Sequence, residues 1–270
     1  MVRTPCFIAN WKMNKAVREA ESYLSSFMEQ CAQAPLPPSQ VIVAPPFTAL
    51  HAVSKRLNGD AGGIGLAAQN VHYEVSGAFT GEVSTGMLCE VGCQYVIIGH
   101  SERRALFGES DAVVQRKLSA VRKAALLPVL CIGETLKDRR AGQTWERLQG
   151  QLSTAFTDDL IATGLADNIA DWMIAYEPVW AIGTGETPTP DEVKDVHAQV
   201  RTFIESRVGK VSPSVLYGGS VSEKNIAAFM EMPGIDGVLV GGASLSPESF
   251  YKVIEAGARA GQAARLEIEE

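Results

Sequence analysis

Eight short apolar runs, each followed by a segment with helical periodicity, limit the folds open to this chain. The runs are CFIAN, VIVAP, IGLAAQ, YVIIGH, PVLCIG, WMIAYE, SVLYGG and GVLVGG. They are apolar at consecutive positions, which is typical of parallel strands that are covered on both faces. The segments between them place apolar residues three and four positions apart, as helices with one buried face do. The pattern therefore predicts eight successive strand–helix units.

A single (β/α)8 barrel accommodates eight such units in roughly 250 residues. The chain has 270 residues, 46% hydrophobic and 20% charged, and no low-complexity segment or change of composition divides it. We therefore predict an α/β protein with one barrel domain over residues 1–270, whose acidic tail at residues 259–270 is expected to be disordered. An open doubly wound sheet is the alternative, but eight similar units give no obvious point at which the strand order reverses.

Charge and cysteine content narrow the classes of function. The net charge is −7, from 24 basic and 31 acidic residues without a basic run, so nucleic acid or an anionic membrane is not expected as a partner. The five cysteines form no Cys-x-x-Cys pair and the four histidines lack zinc-binding spacing, so we expect neither a bound metal nor a disulfide framework. No segment has the pattern of a secretory signal or a spanning helix, and a cytoplasmic location is expected.

Polar residues at the ends of the predicted strands carry the functional signal. In a (β/α)8 barrel the carboxyl ends of all strands meet at one face, where catalytic groups are found. The residues at these ends are Asn10, Lys12, Gln69, Asn70, His100, Glu134, Glu177, Gly218, Gly219, Ser220, Gly241 and Gly242. The glycine pairs after the last two strands expose backbone N–H groups where such barrels commonly hold phosphate. We therefore expect one pocket with a lysine, a histidine, a carboxylate and a phosphate site.

Each of these residues also has an ordinary structural interpretation. Lys12 alone could be a surface lysine, glycine pairs often mark only tight turns, and Glu177 alone could form a rim ion pair worth about 0 to 1 kcal/mol. Taken together, these structural interpretations are less plausible than each is alone, because separate strands bring complementary groups to the same face. The other histidines, His51, His72 and His197, are assigned to helix faces and loops without a functional role.

The stretch AYEPVWAIGTGETPTP has the composition of a hinged lid. Residues 178–180 are stiff, residues 183–185 are loose, and two prolines follow within residues 186–190. Constrained ends around a flexible centre suit a segment that opens and closes over a site. Thr189 and Glu192 have the spacing of a capping box with proline between them, so a helix is predicted to begin there and the lid to end before it.

Six motifs resemble the triosephosphate isomerase family. They are NWKMN, IIGHSERR, CIGE, AYEPVWAIGTG, YGGSV and VGGASL, and the resemblance runs in order from about residue 6 to residue 257. Several separate motifs in the right order at predicted strand ends are far more specific than a lone glycine-rich loop. The resemblance implies a TIM barrel that interconverts dihydroxyacetone phosphate and D-glyceraldehyde 3-phosphate through an enediol or enediolate, without metal or organic cofactor.

The resemblance also implies a role for each residue at the strand ends. Glu177 is expected to be the base that moves a proton between adjacent carbons, and His100 a neutral donor that moves protons between substrate oxygens, as in this family. Lys12 and Asn10 are expected to stabilise negative charge on the substrate. The phosphate is expected on backbone N–H groups of Gly183, Ser220, Gly241 and Gly242.

Supporting roles follow from the same resemblance. Glu102 is expected to orient Lys12, Glu134 to hold Trp180 while the lid is open, and Tyr217 to bond the closed lid tip. Ser101 and Cys131 are expected beside the catalytic residues. Family members often have a lysine and small residues at the second hinge, whereas this chain has Glu186, Thr187 and Pro188. This departure is expected to affect lid closure and not the chemistry.

The third loop, residues 69–84, is too long for a simple connection. In the family this loop projects into a second subunit, with Thr80 near the partner's active site, so the resemblance implies a homodimer. Two alternatives remain open at this point: another phosphosugar barrel such as an epimerase, or a non-catalytic phosphate-binding scaffold. The first would need metal ligands or a different placement of carboxylate and lysine. Joint retention of Glu177, His100 and Lys12 argues against the second.

Overall fold

The computed structural model describes residues 3–58, 63–164, 168–182, 186–209 and 212–269. Eight parallel strands close into a barrel in which each strand pairs with the next and the first pairs with the last. The strands are β1 Cys6–Asn10, β2 Gln40–Ala44, β3 Gly65–Ala68, β4 Tyr95–Ile98, β5 Leu127–Ile132, β6 Met173–Tyr176, β7 Ser214–Tyr217 and β8 Gly237–Val240. The predicted (β/α)8 barrel is confirmed.

Helices connect successive strands and cover the outside of the barrel. They are α1 Val17–Gln33, α2 Leu50–Asn58, α3 Thr85–Glu90, α4 Ser101–Leu106, α5 Asp111–Lys123, α6 Leu136–Arg140, α7 Thr144–Ala155, α8 Asp158–Ala162, α9 Pro190–Val208, α10 Ile226–Met230 and α11 Pro247–Glu269. Short 3-10 helices lie at Phe47–Ala49, Ile169–Asp171, Val179–Ala181 and Gly242–Ser244. In the described part of the chain, no helix is both long enough and apolar enough to cross a bilayer.

Each strand buries both of its faces. Along β1, Cys6 and Ile8 belong to the apolar cluster inside the barrel, whereas Phe7 and Ala9 belong to the cluster between the strands and the helices. Side chains alternate between the two faces of a strand, so both sets of positions must be apolar. This double burial explains the consecutive apolar runs in the sequence, and it leaves the strand ends as the natural position for polar groups.

The start of α9 and the third loop match their sequence signals. Thr189 is the N-cap of α9; its hydroxyl accepts from the N–H of Glu192 at 3.3 Å, and the Glu192 carboxylate accepts from the N–H of Thr189 at 2.8 Å. Pro190 is the first helical residue, and residues 186–189 precede it without regular structure. No helix or strand interrupts residues 69–84, all of which the structure describes.

The carboxyl end of the chain differs from the expectation of a disordered tail at residues 259–270. Helix α11 runs to Glu269 and therefore includes nearly all of this segment. The segment is rich in alanine, glutamate and arginine, which all have high intrinsic helix propensity. This propensity favours the continuation of a helix through the segment.

His197 on α9 is a buried base in the outer apolar layer. Its side chain has no exposed surface, its Nδ1 lies 3.2 Å from the carbonyl oxygen of Gly234, and its ring meets Tyr176 edge-on. Burial lowers the pKa of His197 to about 4, from an ordinary value of 6.5. An unfolded chain therefore binds a proton at this residue below pH 6.5, where the folded chain does not.

We expect this residue to make the folded chain less stable as the pH falls from 6.5 towards 4. The contribution of neutral His197 to the free energy of unfolding is fully present above its pKa in the unfolded chain. Between that pH and its pKa in the folded chain, the free energy of unfolding falls by about 3 kcal/mol. His197→Gln cannot titrate and should lack this part of the pH dependence. Urea unfolding of both proteins across this pH window measures the difference. Equal slopes would contradict the assignment, because all other titrating groups are shared.

Candidate active site

A cavity of about 270 Å³ at the carboxyl ends of the strands gathers the predicted site residues. It is lined by Asn10, Lys12, His100, Glu177, Ile182, Gly218, Gly219, Ser220, Val221, Leu239, Gly241, Gly242 and Ala243. All residues predicted to be catalytic or to bind phosphate are in this set except Gly183, which lies outside the described residues. Five different strands therefore bring these groups to one place.

Glu177 follows β6 directly, and its carboxylate is held by two partners. Its Oε1 lies 3.0 Å from Nε2 of His100, and its Oε2 accepts from the backbone N–H of Ser101 at 2.8 Å. The side chain is only 2% exposed. Ser101 is the first residue of α4, and N–H groups at a helix start stabilise negative charge. Each oxygen thus has one partner, and these two bonds fix the orientation of the carboxylate beside the cavity.

His100 is the N-cap of α4, and its two ring nitrogens have different partners. Nδ1 accepts from the N–H of Glu102 at 3.2 Å, which leaves the ring proton on Nε2, facing Glu177. Burial lowers the pKa of His100, but the Glu177 carboxylate raises it, Glu102 adds to that effect and Lys12 opposes it, so that the net direction is upward. The expectation of a neutral ring rested on the helix and left out Glu177. The hydrogen bond that Nδ1 accepts from Glu102 favours the neutral ring, because a protonated Nδ1 could not accept it.

Lys12 follows β1 in an unusual backbone conformation. Its φ of 52° lies in the left-handed region, which residues other than glycine rarely adopt. The N–H of Lys12 donates to Oδ1 of Asn10 at 3.1 Å, and its carbonyl oxygen accepts from Nε2 of Gln69 at 2.9 Å. Gln69 also donates to the carbonyl oxygen of Ala44 at 2.8 Å. Groups at the ends of β1, β2 and β3 thus fix the backbone from which the lysine extends. Gln69 was expected at a strand end, but without this role.

The Lys12 ammonium lies between an acidic partner and the glycine loop after β8. Its Nζ is 2.7 Å from Oε1 of Glu102, as predicted for that pair. A Cβ added at Gly241 would lie 3.3 Å from Cε of Lys12, so the loop backbone approaches the lysine closely. The buried hydroxyl of Ser244 donates to the carbonyl oxygens of Gly241 and Val240 at 2.7 and 3.0 Å. These bonds hold the turn at which a 3-10 helix begins with Gly242.

Trp180, at the start of the predicted lid, is bound from two sides. Its Nε1 donates to Oε1 of Glu134 at 2.7 Å, and the hydroxyl of Tyr176 donates to the same oxygen at 3.1 Å. The guanidinium of Arg139 lies 4.2 Å from the centre of the Trp180 ring and pairs with Glu192 at 2.6 Å. Burial raises the pKa of Glu134, and the bond from Trp180 opposes that shift. The contact predicted between Glu134 and Trp180 is present.

Two other supporting residues lie close to the cavity. Tyr217 is buried and stacks on Phe229 at 4.3 Å between ring centres, and a Cβ added at Gly219 would lie 2.2 Å from its hydroxyl oxygen. The lid tip at residues 183–185 lies outside the described residues, so its predicted bond to Tyr217 stays a prediction. Cys131 lies inside the barrel, where burial, reinforced by Glu177, raises the pKa of its thiol well above the ordinary value. It is therefore a protonated packing residue.

Apolar residues of the cavity were not predicted, because the sequence signal at strand ends comes from polar groups. Ile182, Val221 and Leu239 line the same cavity as the catalytic candidates. A signal existed for Leu239, whose position in β8 alternates towards the barrel interior. Within the described residues, no group of three or more histidine, cysteine, aspartate or glutamate side chains is arranged to hold a metal ion.

Known proteins resemble this chain over nearly its whole length. The model of the triosephosphate isomerase family matches residues 5–257. A triosephosphate isomerase of Aquifex aeolicus is 45% identical over 253 residues, which cover 91% of this chain and 96% of the relative. Those of Symbiobacterium thermophilum and Chloroflexus aurantiacus are 46% and 45% identical, cover 96% and 94% of this chain, and are each matched over 99% of their own length. The chain belongs to the triosephosphate isomerase family.

Proposed function

We propose that Glu177, His100 and Lys12 carry out the interconversion of dihydroxyacetone phosphate and D-glyceraldehyde 3-phosphate, a step of glycolysis and gluconeogenesis. One observation carries the assignment: a carboxylate, an imidazole and an ammonium group line a single cavity whose far wall is glycine backbone. Isomerisation of a triose phosphate requires a base that acts on carbon, a group that carries protons between oxygens, a cation and a phosphate-binding site. Family membership favours this reaction over that of another phosphosugar barrel or a non-catalytic scaffold.

Glu177 acts as the base on carbon in this proposal. It takes a proton from the carbon next to the substrate carbonyl and returns it to the adjacent carbon. Its bonds to His100 and Ser101 store the carboxylate beside the cavity in the absence of substrate, and rotation away from them brings it to the substrate. Its burial keeps water away from the reacting carbon, which protects an enediolate phosphate from loss of its phosphate group.

His100 moves protons between the two substrate oxygens. The N–H that Glu102 donates to Nδ1 leaves Nε2 as the nitrogen that carries the proton. When Glu177 turns to the substrate, the largest cause that raises the pKa of His100 moves away. Burial and Lys12 then favour the neutral ring, which is the form that can donate one proton and accept another.

Lys12 and Asn10 stabilise the negative charge that develops on the substrate oxygen. A positive group held in place before the reaction stabilises a transition state without the cost of reorganisation, and the backbone contacts of Lys12 supply that rigidity. The phosphate group binds to backbone N–H groups of Ser220, Gly241 and Gly242, with Gly183 of the lid added on closure. Glu102 orients the ammonium group through their 2.7 Å contact.

We further infer a homodimer that forms through residues 69–84, with Thr80 reaching the partner's active site. Two large apolar side chains of this loop, Val75 and Phe79, are exposed, and so is Met87 just after it in the chain. Exposed apolar side chains on a long loop favour an interface. A cytoplasmic location belongs to the same proposal, since all five cysteines are free, as is usual in a reducing compartment.

The first test is Glu177→Gln, which keeps the shape of the side chain and removes the base. We expect kcat to fall by about 10³ or more and KM to stay within about tenfold, because a positioned base acts on the chemical step. A coupled assay of triose phosphate isomerisation without added metal measures both constants. Glu205→Gln, on the exposed side of α9, is the matched control and should be unchanged. A near-normal kcat for Glu177→Gln would rule out its role as the base.

The second test is Lys12→Met, which removes the cation and keeps an unbranched side chain. We expect nearly all activity and most of the affinity for inorganic phosphate, as a competitive inhibitor, to be lost, because charge at this position acts on both binding and reaction. Residual turnover is measured at high substrate, and phosphate binding by calorimetry. The exposed Lys252→Met is the control. Phosphate binding equal to wild type in Lys12→Met would place the ammonium group away from the substrate.

The third test removes residues 76–81 from the loop that is proposed to form the dimer. We expect a monomer with weak activity, because the loop buttresses the catalytic residues of the partner in the proposed assembly. Light scattering gives the oligomeric state, and the coupled assay gives kcat. A wild-type protein that is fully active as a monomer contradicts the proposed assembly.

A further inference from the structure

A buried glutamine on the outside of the barrel is bonded to the strand end next to Glu177. Gln151 lies on α7 with a residue exposure of 3%. Its Oε1 accepts from the backbone N–H of Gly133 at 2.9 Å, and its Nε2 donates to the carbonyl oxygen of Gly133 at 3.1 Å. One side-chain amide therefore satisfies both polar backbone groups of one residue.

Gly133 needs this partner because the strands around it leave its backbone unpaired. The N–H of Glu177 donates to the carbonyl oxygen of Ile132 at 2.7 Å, and the N–H of Val179 donates to that of Glu134 at 3.1 Å. Successive residues of a strand direct their backbone groups to opposite neighbours, so Gly133 points away from β6. On the other side β4 has already ended and the chain has turned into α4. The amide of the buried glutamine takes the position that a neighbouring strand would fill.

The backbone of Gly133 is in direct contact with that of Glu177. A Cβ added at Gly133 would lie 1.9 Å from the carbonyl oxygen of Glu177 and 3.3 Å from its Cβ. The two backbone segments are in contact without a gap between them. A movement of Gly133 towards Glu177 therefore displaces the residue that carries the proposed catalytic carboxylate. The next residue, Glu134, binds Trp180. The same strand end therefore supports both the base and the first turn of the lid.

We propose that Gln151 is a positioning residue for proton transfer by Glu177. It does not line the cavity, and it acts by holding the Gly133 backbone against that of Glu177. An apolar side chain of equal length would fill the same space but leave a buried N–H and a buried carbonyl group unpaired. The amide is therefore present for its two hydrogen bonds and not for its volume. This inference rests on the proposed role of Glu177 as the base.

The test compares Gln151→Met with a packing control on the same helix. Methionine has a similar length and no hydrogen-bonding amide, so we expect kcat to fall about ten- to hundredfold through misplacement of Glu177. KM should change less than about threefold, because Lys12 and the glycine loops belong to other strands. Leu148→Ala removes buried packing from α7 without touching the bonds of Gly133, and its kcat should stay within about twofold of wild type. Thermal unfolding of both variants establishes that they are folded in the assay.

Gln151→Glu adds a readout that lost packing would not change. A protonated carboxyl group has one donor and one acceptor and can replace both bonds of the amide, whereas a carboxylate has no donor for the Gly133 carbonyl. Burial at this position, where Gln151 is only 3% exposed, favours the neutral, protonated form of the carboxyl group. The kcat ratio of Gln151→Glu to wild type should therefore rise as the pH falls from about 8 to about 6. This ratio decides the question if Gln151→Met does not fold.

Amide hydrogen exchange tests the bond itself without any assay of activity. The Gly133 N–H should exchange faster in Gln151→Met than in wild type or Leu148→Ala. Given an active wild type, three results would overturn the positioning role. The kcat of Gln151→Met could stay within about twofold of wild type, or Leu148→Ala could lose as much activity as Gln151→Met. The third is a kcat ratio of Gln151→Glu to wild type that does not change with pH. A wild-type protein without isomerase activity contradicts the proposed function instead, and the exchange of Gly133 then still reports on the bond.

Discussion

Closure of eight parallel strands is the constraint on which the rest of this molecule depends. Both faces of every strand are buried, one inside the barrel and one under the helices, so side chains within the strands must be apolar. Polar groups then collect where the strands end. The ends of β1, β4 and β6 supply Lys12, His100 and Glu177, while those of β7 and β8 supply glycine backbone. The site is thus a consequence of topology, and its chemistry follows from which side chain stands at each end.

Ion pairs and backbone hydrogen bonds hold the catalytic candidates in states that are otherwise unfavourable, namely a left-handed backbone and a buried carboxylate. Lys12 occupies a left-handed conformation that Asn10 and Gln69 stabilise. Glu177 is buried, and its carboxylate bonds to His100 and to a helix start. Such arrangements cost stability and persist only where the surroundings enforce them. The surrounding strand ends supply that enforcement, and Gln151 belongs to it on our proposal, although it lies outside the cavity.

The barrel and most of the polar site could be predicted from the sequence, because each depends on local patterns. Apolar runs give the strands, and the residues just after them give Lys12, His100 and Glu177. The remainder depends on long-range contacts that no local pattern shows. Gln151 meets Gly133 from a later helix, and Glu177, which follows β6, raises the pKa of His100, which follows β4. The continuation of α11 to Glu269 agrees with the high helix propensity of the tail residues.

The central claim is that the reaction proceeds by proton transfer through a carboxylate base. Isomerisation in D2O, followed by NMR of the product, tests it most directly. A proton held by Glu177 can exchange with solvent before it returns to carbon, so the account predicts deuterium on the carbon that receives the proton in a measurable fraction of the product. Product formed at the normal rate with no deuterium at that carbon would indicate direct hydride transfer between the carbons. That result would contradict the assignment of Glu177 and the mechanism built on it.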